Sequence, residues 1–244
     1  MNARIALCLS GQMRTYRECY DFLYENLLQP VTPDVFIHTW RNTGISHKEA
    51  DTGEVDETVS ENILQDLFSP VETVIEDFRS EYTDSIGTVR VPEILKASEP
   101  VHYRGSLPMY YKMSECNRLK CEHEQKKGFH YDRVIRLRPD LALKERLPGE
   151  FYIDDEKLWQ SDYMITQSFQ VSDKFTFGAS HVMDYYTSVY NRLNEYWQNP
   201  LGEPDSEKKH RVGERLMKYH MDVSGFEVET FSIDCELVRV GKVI

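Results

Sequence analysis

The sequence lacks the long apolar runs of a membrane protein, because none reaches the roughly 18 residues that a membrane-spanning helix needs. The apolar run from Ile5 to Leu9 is too short for the core of a signal peptide, and polar residues follow it at once. The five cysteines show neither Cys-x-x-Cys spacing nor the His and Cys spacing typical of zinc. We therefore expect a cytoplasmic protein without a membrane span, with free thiols in a reducing compartment.

The motifs of several common nucleotide and hydrolase sites are also missing. The chain has no Gly-x-Gly-x-x-Gly fingerprint, which argues against a dinucleotide site, and no Gly-x-x-x-x-Gly-Lys phosphate loop. A nucleotidyl- or phosphotransferase on a similar sheet would need such a loop, so this alternative is weakened. The absence of Gly-x-Ser-x-Gly disfavours a serine hydrolase.

Positive charge is scarce over the chain as a whole. The 244 residues include 29 Lys and Arg against 41 Asp and Glu, which gives a formal net charge of -12. This balance disfavours a protein that holds a long polyanion by releasing its counterions, so we expect no nucleic acid partner. A nucleoside diphosphate stays possible, because it needs only a few local cations or a helix N-terminus.

The first forty residues have the pattern of a strand, a helix and a second strand. An apolar run covers Arg4 to Ser10, apolar side chains at helical spacing cover Thr15 to Leu28, and Asp34 to Trp40 resembles a second buried strand. This order indicates a βαβ crossover and a parallel sheet. The sequence predicts an α/β fold of Rossmann-like type, with a mixed, mostly parallel central sheet flanked by helices, in a single domain over residues 1–244.

The rest of the chain alternates between strand and helix patterns, with polar stretches at 41–60 and 199–212 that we interpret as surface loops. A long helix is predicted with Pro108 in its first turn and Gly128 as its C-cap. Strands are predicted at 71–77, 131–143, 163–166, 173–178 and twice within 226–240, and further helices at 62–68, 180–197 and 213–221.

Ligands of such sheets bind beyond the carboxyl ends of the strands, so the residues that follow each strand are the candidates for a site. The first strand is followed by a glycine turn and an arginine, and the second ends in an imidazole and an indole that can contact a nucleoside or a sugar ring. An ordinary turn at Gly11 and a core position for Trp40 are the structural alternatives. The candidates for donor binding here are Ser10, Gly11, Gln12, Arg14, His38 and Trp40.

The segment from Tyr131 to Leu143 carries the most informative pattern. Strand alternation places Arg136, Arg138 and Asp140 on one face, unless Pro139 bends the chain. Two guanidinium groups can bind a diphosphate bidentately, and a carboxylate can hold a divalent cation or a sugar hydroxyl. Alternatively, these residues pair with other side chains and only stabilise the end of the strand.

Three segments together resemble a group of small bacterial and viral glycosyltransferases of the GT-A type that act in surface glycan synthesis. They are 5–15, 33–40 and 131–141, of which the third is the most specific, and the likeness covers most of the first 145 residues. The resemblance implies a nucleoside-diphosphate-sugar donor bound by residues 1–145 and a glycan acceptor bound by residues 146–244. It implies transfer of a hexose or deoxyhexose to a glycan hydroxyl.

In GT-A enzymes an Asp-x-Asp motif ends the central strand, and its last Asp binds Mn²⁺ or Mg²⁺. Asp140 stands at the position of that last Asp, which makes it the candidate metal ligand, but Arg138 stands at the position of the first. The resemblance therefore predicts a divalent cation only in part, because the arginines can do some of its work.

The catalytic candidates are Glu214 and Asp173. Glu214 resembles the late carboxylate that deprotonates the acceptor hydroxyl in inverting GT-A enzymes, although a glutamate also favours a helix's first turn through the helix dipole. Asp173 precedes a strand and is a second candidate for contact with the acceptor or the transferred sugar. A non-catalytic nucleotide- or glycan-binding module is the alternative function. A glycoside hydrolase is less favoured, because no pair of carboxylates stands out by position.

Overall fold

The computed structural model describes residues 3–44, 57–98, 103–153, 155–165, 170–198 and 212–239. Residues 45–56 of the first predicted loop and 199–211 of the second lie outside these ranges. Within the described ranges, no helix combines the length and the apolar character that crossing a membrane requires.

A seven-stranded sheet forms the centre of the fold, in the order β10-β8-β9-β6-β1-β2-β3. Six of the strands run parallel, and β9 runs antiparallel to its neighbours β6 and β8. The strands are β1 (Ile5–Gly11), β2 (Asp34–Trp40), β3 (Glu72–Glu76), β6 (Arg133–Leu137), β8 (Leu158–Ser161), β9 (Phe175–Gly178) and β10 (Val228–Phe231). This confirms the predicted α/β fold with a mixed, mostly parallel sheet.

Two pairs of short strands lie outside the central sheet. They are β4 (Ser85–Ile86) with β5 (Val89–Arg90), and β7 (Leu141–Leu143) with β11 (Cys235–Leu237). The second pair joins the segment that follows β6 to the last strand of the described residues. Strands from before and after residue 145 thus share both the central sheet and this smaller one.

Helices cover both faces of the sheet, and alternation along β1 divides the core between them. Ala6 and Cys8 pack in one cluster with α5, α6, α7 and α8, whereas Leu7 and Leu9 pack in another with α1 and α3. Strand β1 is buried on both faces, and its residues from Ile5 to Leu9 are accordingly apolar without a polar alternation. Strand β6 is also buried on both faces, although it includes Arg133 and Arg136. The helices are α1 (Tyr16–Leu23), α2 (Gln29–Val31), α3 (Glu61–Phe68), α4 (Glu93–Ser98), α5 (Tyr103–Lys127), α6 (Ser180–Thr187), α7 (Val189–Gln198) and α8 (Gly213–Ser224).

Several predicted boundaries match the structure closely, and one does not. The strand over Asp34–Trp40 is confirmed, and Gly128 ends α5 with a φ of 72° while its N–H donates to Glu124 O. The prediction that Pro108 lies in the first turn of α5 is wrong, because the helix already includes Tyr103. Proline lacks an N–H, so α5 tolerates the loss of one helical hydrogen bond inside its body.

Two further predicted elements are corrected. Of the strand predicted at 163–166, residues 163–165 form a turn, in which Met164 has a left-handed φ of 59° and Ile165 N donates to Asp162 O, and residue 166 lies outside the described residues. The strand in this part of the chain lies earlier, as β8. The helix predicted over 180–197 is two helices, α6 and α7, that meet at Ser188. The Ser188 hydroxyl donates to Tyr185 O at 2.7 Å, a side-chain contact that competes with continued helix.

Candidate functional site

A cleft of about 480 Å³ lies at the edge of the sheet where β1, β2 and β6 end, beside the first turns of α5 and α8. This is the edge at which parallel α/β sheets bind their ligands. Eight of the residues predicted from the sequence line it: Ser10, Gly11, Gln12, Arg14, Trp40, Arg136, Arg138 and Asp173. The other three, His38, Asp140 and Glu214, do not line it.

The turn after β1 brings polar groups and open backbone to the cleft. Gly11 has a φ of 114°, which residues with side chains rarely adopt, and a Cβ placed there would meet no atom within 4 Å. The Ser10 hydroxyl is buried without a hydrogen-bond partner. Gln12 Oε1 accepts a hydrogen bond from Arg14 Nη2 at 2.7 Å. The turn therefore allows a ligand close to its backbone and holds Arg14 in place.

The two aromatic candidates at the end of β2 have different surroundings. Trp40 lines the cleft although it is only 2% exposed, and Lys112 Nζ lies 3.6 Å from the centre of its ring. His38 is buried and does not line the cleft; its ring meets the ring of Tyr111 edge on. Burial, with the charge of Lys112, lowers the pKa of His38 to about 3, so its ring is neutral near pH 7. His38 therefore supports the wall of the cleft, and the prediction of direct donor contact does not fit its position.

Arg136 is a buried cation whose hydrogen bonds are incomplete. The side chain is 2% exposed, and its Nε and Nη1 have no hydrogen-bond partner. Burial lowers the pKa of Arg136, yet a guanidinium stays protonated at all ordinary pH values. A buried charge without its partner costs about 3–5 kcal/mol. Because Arg136 also lines the cleft, an anion bound there would supply a counter-charge to its guanidinium.

Asp140 is the hub of an arginine cluster. Its fully buried carboxylate accepts hydrogen bonds from Arg14 Nη1 at 3.0 Å, from Arg138 Nε and Nη2 at 2.9 and 2.7 Å, and from Arg239 Nη1 at 2.7 Å. Burial alone would raise the pKa of Asp140, but Arg138, Arg14 and Arg239 hold it well below its usual range. The carboxylate is therefore ionised, and both of its oxygens have cationic donors.

This cluster corrects the expectation that Arg136, Arg138 and Asp140 share one face. Strand β6 ends at Leu137, and the chain turns at Pro139, where Leu141 N donates to Arg138 O at 3.2 Å. The two arginines consequently line the cleft and the carboxylate does not. The donor set around Asp140 does not fit a divalent cation, because guanidinium groups contact both carboxylate oxygens and would repel a second positive charge.

The carboxylate that does line the cleft is Asp173. Its Oδ1 accepts from Lys174 Nζ at 3.1 Å, and Arg138 Nη1 lies 3.8 Å from Oδ2. Burial alone would raise the pKa of Asp173, but Lys174, Arg138 and Arg136 hold it well below its usual range. Lys174 Nζ also donates to Glu214 Oε1 at 2.6 Å. The structure thus joins both catalytic candidates through one lysine, with Asp173 at the cleft and Glu214 behind it.

The opposite end of the cleft is formed by residues outside the predicted set. Phe78 lines it with 41% of its side chain exposed and meets Trp40 edge on at 5.2 Å between ring centres. Phe78 follows β3, so the rule that selects residues after strands would have found it. Arg104 and Met109, from the first turns of α5, also line the cleft. They were not among the predicted residues, because the predicted start of that helix lies too late.

Charge at the cleft is opposite to charge over the chain. Within the part of the chain that the structure describes, four arginines and one carboxylate line it, whereas the whole sequence has a net charge of -12. Such a local excess in a partly enclosed cleft attracts and binds anions.

A second group of possible metal ligands lies on α5 and α6, away from the cleft lining. Cys121, Glu124 and Asp184 bring their ligand atoms within 4.8 Å of one another. The ammonium group of Lys120 already fills this position, because it donates to Glu124 at 2.9 Å and to Asp184 at 2.8 Å. The group is therefore a buried ion-pair network that joins the two helices.

No protein-family model matches the sequence, and no curated protein matches it.

We predict that Asp140→Asn lowers the free energy of unfolding by about 3–5 kcal/mol at pH 7, because the variant leaves a buried cation cluster without its counter-charge. The folded-state pKa of Asp140 is depressed, so its stabilisation is complete above about pH 4 and is lost as the pH falls further. The difference between the two proteins should shrink below that pH. Urea unfolding at a series of pH values measures it.

The matched control for this prediction is Asp77→Asn. Asp77 pairs with Arg41 at the surface, where 73% of its side chain is exposed, so we expect a loss of about 1 kcal/mol or less. Equal small losses for both variants would contradict the structural role of Asp140.

Proposed function

We propose that the protein is a glycosyltransferase that transfers a sugar from a nucleoside-diphosphate sugar to a hydroxyl of a glycan. The observation that carries the proposal is the buried guanidinium of Arg136, which has unpaired donors and lines a cleft at the ligand-binding edge of the sheet. The resemblance of three segments to GT-A glycosyltransferases supports sugar transfer as the chemistry. The divalent cation that this resemblance implies has no fitting site at Asp140.

The arginine end of the cleft suits the diphosphate. Arg136, Arg138 and Arg14 line this end beside the open backbone of Gly11. Guanidinium groups bind phosphate oxygens through paired hydrogen bonds that are stronger than neutral ones. During transfer, the bond between the anomeric carbon and the phosphate oxygen breaks, and its electron pair stays on the diphosphate. Cations held in fixed positions stabilise the negative charge that develops on the diphosphate in the transition state.

The aromatic end of the cleft suits the nucleoside. Phe78 offers an exposed ring, and Trp40, Thr83 and Met109 lie along the same lining. Any nucleobase can stack on such a ring, because every base has a π-face. With the diphosphate on the arginines, the base would extend toward Phe78.

Asp173 is the group that we assign to the acceptor or to the transferred sugar. It is ionised and lines the cleft beside the arginine end, so it can accept a hydrogen bond from a hydroxyl. In the displacement, the acceptor oxygen forms a bond to the anomeric carbon and its proton passes to a base. Glu214 contacts Lys174 and not the cleft, so we assign it a positioning role for Asp173 through that lysine.

We predict that Arg136→Met binds nucleoside diphosphates about 10- to 100-fold more weakly, because charged hydrogen bonds contribute about 1.5–3 kcal/mol. Its free energy of unfolding should stay equal or rise, because the variant no longer buries an unpaired charge. Calorimetric titration with UDP, GDP, CDP and dTDP measures binding, and urea unfolding measures stability.

Arg133→Met is the matched control, because Arg133 lies at the other end of β6 and donates to Asp155 O at 3.2 Å. This control should lose stability and keep its nucleotide affinity. If Arg136→Met destabilised the protein without weakening binding, Arg136 would be a structural residue only.

We predict that Phe78→Ala lowers the affinity for a nucleoside diphosphate about 5- to 100-fold, because stacking contributes about 1–3 kcal/mol per base. Its affinity for pyrophosphate, which has no base, should be unchanged. Calorimetric titration with both ligands checks this, with Tyr152→Ala as an exposed aromatic control outside the cleft. A parallel loss of pyrophosphate binding would contradict the assignment of Phe78 to the base.

A further inference from the structure

Carboxylate ligands for a cation are scarce at the cleft. Among the described residues that line it, Asp173 is the only carboxylate, and Lys174 and Arg138 already approach its two oxygens. Asp140, at the position where the resemblance implies a metal ligand, is engaged by Arg14, Arg138 and Arg239. Divalent cations such as Mg²⁺ bind carboxylate oxygens, but the cationic side chains around both carboxylates would repel a divalent cation at either position.

Arginines with unsatisfied donors, by contrast, line the cleft. Arg136 Nε and Nη1 and Arg14 Nε are buried without hydrogen-bond partners, and the Ser10 hydroxyl near them is also unpaired. Arg138 lines the cleft while its Nε and Nη2 hold Asp140, so the Asp140 cluster fixes the orientation of its guanidinium. The arginines are therefore oriented before any ligand binds, as electrostatic stabilisation of a transition state requires.

We propose that this site neutralises the diphosphate of its donor with arginine side chains and uses no divalent cation. The inference rests on the proposed function, because it concerns the diphosphate of the same donor. In a cation-dependent site the metal bridges the phosphate oxygens and offsets their charge. Here Arg14, Arg136 and Arg138 supply that charge, and Asp140 holds two of them in position. By the resemblance, Arg138 stands where a cation-dependent site has a metal ligand. Its guanidinium would supply positive charge that the metal supplies in such a site.

The test compares nucleotide binding by the wild type and one variant, with and without a divalent cation. Wild type and Arg136→Met are titrated by calorimetry with UDP, GDP, CDP and dTDP, once in EDTA and once in excess MnCl₂. We expect the wild type to bind its preferred nucleotide with dissociation constants that agree within about twofold in the two buffers. Arg136→Met should lose affinity by the same factor in both, because the site binds no cation that could compensate for the lost guanidinium.

The outcomes distinguish a failure of the cation-independent site from a failure of the proposed function. Wild-type binding that is about tenfold weaker in EDTA, or recovery of Arg136→Met by Mn²⁺, would overturn the inference and leave the proposed function standing. If none of the nucleotides binds to the wild type in either buffer, the proposed function fails and the inference fails with it. Arg133→Met, at the other end of β6, should have the nucleotide affinity of the wild type in both buffers.

Discussion

The carboxylate of Asp140 connects three separate parts of the chain at one side of the cleft. It holds Arg14 from the turn after β1, Arg138 from the end of β6 and Arg239 from the segment after β11. The backbone reinforces the same link, because Val238 N donates to Asp140 O and the Thr15 hydroxyl donates to Val238 O. The orientation of the arginines at the cleft depends on this buried charge, and so does the docking of the last described segment against the first helix.

The cationic side chains at the cleft differ in whether a carboxylate accepts hydrogen bonds from them. Arg138 and Arg14 share Asp140, and Lys174 is held between Asp173 and Glu214. Arg136 has unpaired Nε and Nη1 donors although it is the most deeply buried arginine of the cleft, and its charge interacts with Asp173 only through space. Natural proteins keep a destabilised group of this kind at functional sites, where a ligand compensates the cost. The local excess of cations explains how an acidic protein can present an anion-binding cleft.

Much of the fold was predictable because hydrophobic patterning and strand ends are local properties of the chain. The continuous apolar runs of β1 and β2 and the residues that follow them led directly to Gly11, Arg14 and Trp40. The sequence allowed that Asp140 pairs with other side chains, but the partners of Asp140 and Glu214 were not predictable, because Arg239 and Lys174 are distant in sequence. Alternation placed Asp140 beside Arg136, but the turn at Pro139 directs its side chain away from the cleft.

The proposed function requires that the arginine end of the cleft binds a diphosphate whose sugar is transferred. The most direct measurement is chromatographic detection of nucleoside diphosphate released from UDP-, GDP-, CDP- and dTDP-sugars by the wild-type protein, with and without glycan acceptors. We expect release from the sugars of one nucleotide, faster with an acceptor and much slower in Arg136→Met. Tight nucleotide binding without release from any of these donors would contradict it and would identify a binding module instead.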